Sequence, residues 1–252
     1  MVSQDREIAL GYQAFEQVKR RYRPAANPEL QAMAQRVGAR LARAANRPDY
    51  RWEFVVLESP QANAFCLPGG KVGIYTGLFK YIRNDADLAT VLAHEVAHVL
   101  ARHAGERLSQ AQLAQLGGLG LGLAMMGAGP AAAQTAMLGY NLGTQYGVLM
   151  PYNRRQESEA DRIGLILMAK AGYDPAAGVD FWRRFAQVKK SKLPVPAFLS
   201  SHPSDRDRIR AMQAFLPEAR RYYHPQLAQE EPQGTPPSPR LWQGHRNRRV
   251  KP

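Results

Sequence analysis

The chain has 252 residues, which suits one medium-sized domain with a sizeable core, and its apolar (45%) and charged (22%) fractions are those of an ordinary globular protein. A single cysteine, Cys66, excludes an internal disulfide and zinc sites of the four-cysteine type. The net charge of +13 favours anionic partners such as nucleic acid, lipid headgroups or acidic peptides. No nucleic-acid recognition motif accompanies the charge, so nucleic acid ranks last, and an arginine-rich solvated surface is the simpler interpretation.

The first third of the sequence alternates between helical and strand patterns. Apolar periodicity predicts an amphipathic helix over residues 3–23 and a second helix that begins near Asn27, a residue type common at helix N-caps. Alternation then predicts a strand at 52–57. A Pro-Gly-Gly turn separates 62–67 from 71–75, which indicates two short strands or a hairpin.

The middle of the chain holds the best-defined helix and an unusual uncharged segment. A short helix is predicted at 78–83, and Asn84 or Asp85 caps the mostly apolar helix that follows, which we expect to end at Gly105. Residues 108–153 contain no charged side chain. Glycines and polar residues interrupt every apolar run before it reaches the length of a membrane-spanning helix. We expect a loosely packed helical hairpin or flap, and a hairpin that dips into a membrane is the alternative.

The last part of the chain is helical and then loses its apolar pattern. Helices are predicted at 156–171, after Pro175 and at 204–215. The sequence therefore divides into a domain over residues 1–217 and a basic, proline-rich tail over residues 218–252 that we expect to be disordered or extended.

One pentapeptide contains side chains that can bind a metal ion and transfer a proton: His94-Glu95-Val96-Ala97-His98. Positions i and i+4 share one face of a helix, so both imidazoles can reach one metal ion. Glu95, at the edge of that face, can hydrogen-bond a water on the metal and act as general base, because zinc lowers the pKa of such a water. A chance match is the alternative, but burying these three side chains without a ligand is costly. The motif predicts a zinc hydrolase.

A catalytic zinc needs a third protein ligand, and the sequence lacks the glycine and histidine of the metzincin extension. His103 points off the ligand face, and we interpret it as a helix-end histidine near the C-terminal dipole. Glu157 and Asp161 share a face of a later helix. Glu157 is the candidate ligand and Asp161 the hydrogen-bond acceptor for a ligating histidine, while Glu159 is a surface charge. An acidic helix start paired with nearby arginines is the alternative.

Several motifs in order resemble the HtpX and CAAX-prenyl-protease type of gluzincins, metallopeptidase family 48. They are the pentapeptide, the stretch Glu157-Ser158-Glu159-Ala160-Asp161, the stretch Ser201-His202-Pro203 followed by Arg208-Ile209, and the stretches 63–70 and 74–78. The resemblance covers residues 7–215 and is greatest to the soluble BepA-like branch, without the helical-repeat domain found in BepA. It implies an α+β, mainly helical zincin fold, in which a small β-sheet borders the active-site helix.

The resemblance also implies roles for individual residues. It implies one zinc ion per chain with Glu157 as third ligand, and Asp161 beside the ligands, also described in the family as a proton donor. His202 would be a fourth ligand that latches the site, or a group that stabilises the oxyanion; a loop histidine that caps the next helix is the plain alternative. Arg208 would pair with a carboxylate near the zinc or steady the oxyanion. Asn63, Ala64 and Phe65 would form a strand on which an extended substrate adds.

The expected function is an endopeptidase that cuts unfolded or misassembled proteins in the cell envelope. The first ten residues lack the apolar core of a signal peptide, so the protein is either cytosolic or has lost a leader, and the resemblance favours a periplasmic location. The substrates would be extended polypeptides, and association of the basic ends with an anionic membrane surface ranks third, behind the hydrolase and the binding module. The alternative function is a zinc-holding, chaperone-like or latched binding module with little proteolysis. The sequence gives no oligomeric state.

Overall fold

A computed structural model describes residues 3–127, 129–142, 150–188, 196–202 and 206–228. Within these ranges the chain forms nine α-helices, three β-strands and two short 3₁₀ helices. The helices are α1 (Gln4–Arg21), α2 (Pro28–Ala45), α3 (Asp85–Leu100), α4 (His103–Ala124), α5 (Pro130–Leu142), α6 (Met150–Lys170), α7 (Pro175–Val188), α8 (Ala197–Ser201) and α9 (Arg206–Arg220). The strands are β1 (Glu53–Leu57), β2 (Ala64–Leu67) and β3 (Lys71–Tyr75), and the 3₁₀ helices are Thr76–Lys80 and Pro225–Ala228.

Local sequence signals set the starts of the early helices. Asn27 caps α2, because its side-chain oxygen accepts hydrogen bonds from the backbone N–H of Glu29 (2.9 Å) and Leu30 (3.3 Å). Asn84 caps α3 in the same way, through the N–H of Asp87 at 2.9 Å. The short helix predicted at 78–83 is instead the 3₁₀ helix Thr76–Lys80.

The three strands form one small mixed sheet in the order β1-β3-β2. β1 runs parallel to β3, and β2 pairs antiparallel with β3, so the predicted pair around the Pro-Gly-Gly turn is a hairpin. β2 therefore lies at one edge of the sheet as the described residues form it, and α3 packs beside this strand. The predicted fold class is confirmed: the protein is mainly helical, and its small sheet borders the helix with the metal motif.

The core is built around α3, and α6 is its main packing partner. The two backbones approach closely because α6 has small residues at the contact. Ala160 is fully buried, and a Cβ atom added at Gly164 would lie 3.3 Å from the backbone nitrogen of His94. This crossing brings the two predicted metal-binding segments together.

The end of α3 differs from the prediction. The helix ends at Leu100, and Arg102 adopts a left-handed backbone (φ 58°) before α4 begins at His103. The expectation that Gly105 ends α3 is wrong, since Gly105 lies inside α4. The absence of a side chain at Gly105 instead leaves room for the carboxylate of Glu7 from α1.

The described part of the uncharged segment folds as the later part of α4, as α5 and as the first residues of α6, and α4 and α5 form a helix pair. They contact each other, and the Tyr140 hydroxyl donates a hydrogen bond to the carbonyl of Ala114 at 2.8 Å. No helix in the described ranges has the length and apolarity to cross a membrane. Five large apolar side chains of this helix pair are exposed, as is Met126 just after α4; the five are Leu113, Leu116, Leu119, Leu123 and Leu138.

The described fold continues past the predicted boundary at residue 217. α9 runs on to Arg220, and the 3₁₀ helix Pro225–Ala228 follows. Residues 229–252, most of the predicted tail, lie outside the described residues. The division into a domain and a tail stays a prediction.

Candidate metal centre

Helix α3 carries His94, Glu95 and His98 in the interior of the protein. All three are buried, with exposed fractions of 2%, 6% and 8%. The spacing of four residues places both imidazoles on one face, and their Nε2 atoms lie 3.1 Å apart. Two nitrogen lone pairs at this distance repel each other unless a proton or a cation lies between them.

Helix α6 supplies two carboxylates to the same point. Glu157 Oε2 lies 3.3 Å from His94 Nε2, and Glu157 Oε1 lies 3.3 Å from His98 Nε2. One turn further on, Asp161 Oδ1 lies 3.2 Å from the other ring nitrogen of His94, Nδ1. Glu159 points away, with a side chain that is 60% exposed. The structure thus brings Glu157 and Asp161 to the site and leaves Glu159 at the surface.

His202, at the C-terminal end of α8, reaches the same point from the opposite side. Its Nδ1 lies 3.1 Å from Glu157 Oε1 and 3.2 Å from His94 Nε2, and its Nε2 lies 3.2 Å from Glu95 Oε1. The ring rests against Phe198, with 4.8 Å between the ring centroids. The rest of the predicted His-Pro motif, residues 203–205, lies outside the described residues.

Arg208 of α9 pairs with both carboxylates. Its guanidinium binds Asp161 in a bidentate manner, through Nε at 2.8 Å and Nη2 at 2.7 Å, and Nη1 lies 3.1 Å from Glu157 Oε2. It also stacks over the ring of Trp182, 5.0 Å from its centroid. Of the two roles expected for Arg208, the geometry displays the pairing with a carboxylate.

Four side chains form what we call the metal group: His94, His98, Glu157 and His202. One donor atom from each lies within 4.8 Å of all the others. Ligand atoms about 2.0–2.1 Å from a tetrahedral zinc lie about 3.3 Å from one another. The closest donor separations in the metal group, 3.1–3.3 Å, match that spacing. The donor set of imidazole nitrogens and one carboxylate is also the kind that zinc prefers, so the residues fit zinc.

The electrostatics of the metal-free site follow from burial and from these contacts. Burial lowers the pKa of His98 to about 3. Burial also opposes protonation of His94, but hydrogen bonds to Asp161 and Glu157 outweigh it and raise the pKa of His94 to about 9. A carboxylate thus faces each ring nitrogen of His94, and a proton competes with a metal ion for its Nε2.

The pKa values of the carboxylates at the site shift in opposite directions. Burial raises the pKa of Glu95. Burial acts in the same sense on Glu157, but hydrogen bonds from His202, His94 and His98 outweigh it and hold the pKa of Glu157 well below its ordinary value. Burial also acts to raise the pKa of Asp161, but hydrogen bonds to His94 and Arg208 outweigh it and lower this pKa. Glu157 is therefore an anion that can bind a cation. The pKa of Glu95 is raised toward the pH range in which a carboxylate can both accept and donate a proton.

The predicted position of His103, at the end of the motif helix and off the ligand face, is wrong. His103 is at the start of α4 rather than at the end of α3, and it is buried, with 1% exposed. Its Nδ1 lies 2.8 Å from His98 Nδ1. A continuous helix would turn this side chain away, but α3 ends at Leu100, Arg102 has a left-handed backbone, and His103 begins a new helix with its ring beside His98. No spacing rule signals such a break.

The predicted substrate segment lies beside the motif helix. Ala64 and Phe65 belong to the edge strand β2, and Asn63 directly precedes it. The carbonyl of Ala62, just before this strand, accepts a hydrogen bond from the backbone N–H of Phe198 at 3.0 Å. The helix that carries His202 is therefore attached to the start of the predicted substrate strand.

Comparison with known proteins agrees with this geometry. The family description "Peptidase family M48" matches residues 28–216. The chain is 34% identical over 222 residues to the mitochondrial metalloendopeptidase OMA1 of Schizosaccharomyces pombe, covering 86% of this chain and 63% of that protein. It is 35% identical over 213 residues to a putative beta-barrel assembly-enhancing protease of Vibrio cholerae, covering 81% and 43%. The corresponding Escherichia coli protein is 32% identical over 187 residues, covering 73% and 38%.

These relatives are longer than the matched region, so the chain spans between about two fifths and three fifths of their lengths. The predicted resemblance to family 48 and its BepA-like branch is confirmed. The predicted cofactor, zinc, is confirmed by the family match together with the buried metal group.

Proposed function

Because this chain belongs to peptidase family M48, we propose that it is a zinc-dependent endopeptidase that hydrolyses peptide bonds in unfolded or misassembled proteins. The observation that carries the proposal is the buried metal group, with the carboxylate of Glu95 beside it. In this assignment His94, His98 and Glu157 hold the metal. When bound, zinc polarises the scissile carbonyl and lowers the pKa of the attacking water.

Glu95 acts as general base in this proposal. Its carboxylate is next to the ligands in sequence but outside the metal group, so it is free to accept a proton from the attacking water and return it to the leaving amine. Burial, which raises the pKa of Glu95, suits it to both transfers.

Asp161 and Arg208 hold the ligands in place. A carboxylate in a bidentate pair with a guanidinium is ionised and only accepts hydrogen bonds, so Asp161 faces His94 Nδ1 as an acceptor. This supports orientation of His94 by Asp161 rather than proton donation. Arg208 also balances the charge of Glu157, which makes two buried carboxylates tolerable at one point.

Substrates are recognised as extended polypeptides along Asn63, Ala64 and Phe65. A strand at the edge of a sheet offers backbone groups to an added strand, and such pairing requires little of the substrate's sequence. This suits an enzyme that acts on unfolded chains.

His202 keeps the resting site closed in our proposal. Its Nδ1 lies within hydrogen-bond distance of both His94 and Glu157, in the place of a fourth ligand. This observation also favours the second candidate function, a zinc-holding binding module with little proteolysis. The variant His202→Ala separates the two. A latch predicts that casein cleavage rises while zinc stays bound, and His224→Ala, an exposed histidine, serves as control. An unchanged rate in His202→Ala rules the latch out.

We further propose that the helix pair α4–α5 rests on an anionic membrane surface. Five of its large apolar side chains are exposed, as is Met126 just after α4. No charged residue occurs between 108 and 153, and the exposed Arg107, Arg154 and Arg155 flank this uncharged segment. Sedimentation with phosphatidylglycerol vesicles tests this. Leu116→Gln with Leu123→Gln abolishes binding, whereas Leu10→Gln, at an exposed leucine on α1, does not. Equal binding by both variants contradicts the proposal.

The location of this activity is part of the proposal. Two relatives are named for beta-barrel assembly and one as mitochondrial. These names support a cell-envelope location for this chain, in the periplasm, with the cytoplasm as the alternative. Detection of the native protein in the periplasmic fraction supports it, and detection in the cytosol alone excludes it.

The central test is the pair Glu95→Gln and Glu29→Gln. Glu29 lies on the exposed first turn of α2 and is the matched carboxylate-to-amide control. We expect Glu95→Gln to keep one zinc per chain by elemental analysis and to lose cleavage of unfolded casein, while Glu29→Gln keeps both. Full activity of Glu95→Gln, in a preparation free of other proteases, rules out Glu95 as the general base.

A further inference from the structure

The two histidines of the motif have different partners on their outer ring nitrogens. His94 Nδ1 faces the carboxylate of Asp161. His98 Nδ1 faces the imidazole of His103, and this is its one polar partner among the described residues. The proposed function gives no task to His103.

The geometry around His103 is that of a chain of hydrogen bonds leading outward. His98 Nδ1 lies 2.8 Å from His103 Nδ1, and His103 Nε2 lies 3.3 Å from Glu159 Oε2. His103 is almost fully buried, whereas the Glu159 side chain is 60% exposed. The chain therefore connects the interior face of a metal ligand with a carboxylate at the surface.

Each link can take only one direction when His98 binds a metal through Nε2. That nitrogen then carries no proton, so the proton of the neutral ring is on Nδ1. His98 Nδ1 donates, and His103 Nδ1 must accept. The proton of His103 is then on Nε2, where it is donated to Glu159. The opposite direction would place a proton on His98 Nε2 and exclude the metal.

The backbone of His103 is held by α6, the helix that also carries Glu157. The side chain of Gln156 donates to the carbonyl of His103 at 3.4 Å and to Glu106 Oε2 at 3.0 Å. Arg107 Nε in turn donates to Gln156 Oε1 at 2.9 Å. The start of α4 is thus tied to the residue next to a proposed ligand, which fixes the acceptor in position.

We infer that His103 is a positioning residue for the metal: its Nδ1 accepts the Nδ1–H of His98, and Glu159 orients His103, so that the Nε2 lone pair of His98 points into the metal group. The inference rests on the proposed role of His98 as a zinc ligand. An outer partner of a metal-binding histidine typically contributes 10- to 100-fold to metal affinity.

Two variants of His103 separate the acceptor from the ring. His103→Asn keeps an acceptor, because its amide oxygen occupies the position of Nδ1, whereas His103→Leu keeps a similar volume without one. Zinc affinity is measured by competition with a fluorescent chelator. We expect His103→Leu to bind zinc roughly 10- to 100-fold more weakly than the parent and His103→Asn to stay close to the parent. Equal affinity of His103→Leu and the parent overturns the inference, and so does an equal loss in both variants.

Glu159→Ala tests the outer link, with Glu218→Ala as a control at another surface carboxylate. We expect Glu159→Ala to weaken zinc binding less than His103→Leu does, and Glu218→Ala to have no effect. The ¹⁵N shifts of the zinc-loaded protein report the tautomers directly: the proton on Nδ1 of His98 and on Nε2 of His103. The reverse assignment overturns the inference.

His98→Ala distinguishes this inference from the proposed function. A variant that still binds zinc as tightly as the parent removes His98 from the ligand set, and both the proposed site and the inference fail. If His98→Ala loses zinc while His103→Leu does not, only the inference fails. Thermal unfolding of the metal-free variants checks that each one is folded.

Discussion

The close crossing of α3 and α6 predicts that two similar glycine substitutions differ in their effect on stability. Gly164 and Gly120 both lie inside helices, where replacing glycine by alanine gains about 1 kcal/mol of helix propensity. A Cβ at Gly120 would meet no atom within 4 Å. A Cβ at Gly164 would lie 3.3 Å and 3.4 Å from the backbone nitrogen and Cα of His94.

The difference in stability follows from which atoms must move to make room for the added Cβ. At position 164 the neighbour is the backbone of α3, whose residues 87–99 are all buried, and a backbone cannot rotate away as a side chain could. Overpacking of this kind costs about 1–3 kcal/mol, so Gly164→Ala is expected to be neutral to destabilising by about 2 kcal/mol after the propensity gain. Gly120→Ala is expected to stabilise by about 1 kcal/mol. For a chain of this size, each 1 kcal/mol corresponds to roughly 2–4 °C in Tm.

A shift of α6 away from α3 that relieves this overpacking also separates Glu157 and Asp161 from His94. We therefore expect zinc affinity to fall as well in Gly164→Ala. If all the strain acts on metal binding, about 1–3 kcal/mol corresponds to an upper bound of roughly 5- to 150-fold in affinity. Differential scanning calorimetry of the metal-free protein and chelator competition measure the two effects. If Gly164→Ala stabilises the protein as Gly120→Ala does and binds zinc as the parent does, the argument from the helix crossing is refuted.

Three further predictions concern the motif helix and its surroundings. Asn84→Ala removes the N-cap hydrogen bond to Asp87 and is expected to cost about 1 kcal/mol in urea unfolding; no change in the midpoint contradicts the cap. The metal-free protein is expected to be most stable near pH 6.5, the ordinary histidine pKa. The stability contributed by His94, whose pKa is raised to about 9, is complete below pH 6.5 and is lost as the pH rises through 9. The pKa of His98 is lowered to about 3, so His98 destabilises the protein as the pH falls from 6.5. A Tm profile that lacks these opposing slopes is inconsistent with both pKa shifts. Arg208→Met leaves two buried carboxylates without their cation and is expected to destabilise the protein by about 3–5 kcal/mol; a loss below about 1 kcal/mol in urea unfolding shows that the pairing is not needed.

The sequence alone was sufficient to predict structural features that depend only on residues close together along the chain. The spacing of His94 and His98, and of Glu157 and Asp161, places each pair on one face of its own helix, because helical periodicity depends only on neighbours along the chain. The cap at Asn27 and the hairpin around the Pro-Gly-Gly turn are local in the same sense. The predicted fold class followed from these elements and from the resemblance to family 48.

What only the tertiary structure decided lies between elements that are distant in sequence. Arg208 was expected near a carboxylate, but its simultaneous contact with Asp161 and Glu157 depends on how α9 crosses α6. Helical periodicity continued through Arg102 gives the wrong position for His103, because a left-handed residue there separates two helices. Gly105 lies inside a helix and leaves room for the Glu7 side chain of α1, a contact between elements distant in sequence. Periodicity identifies the face on which a donor lies, whereas the packing of helices against one another determines which donors meet.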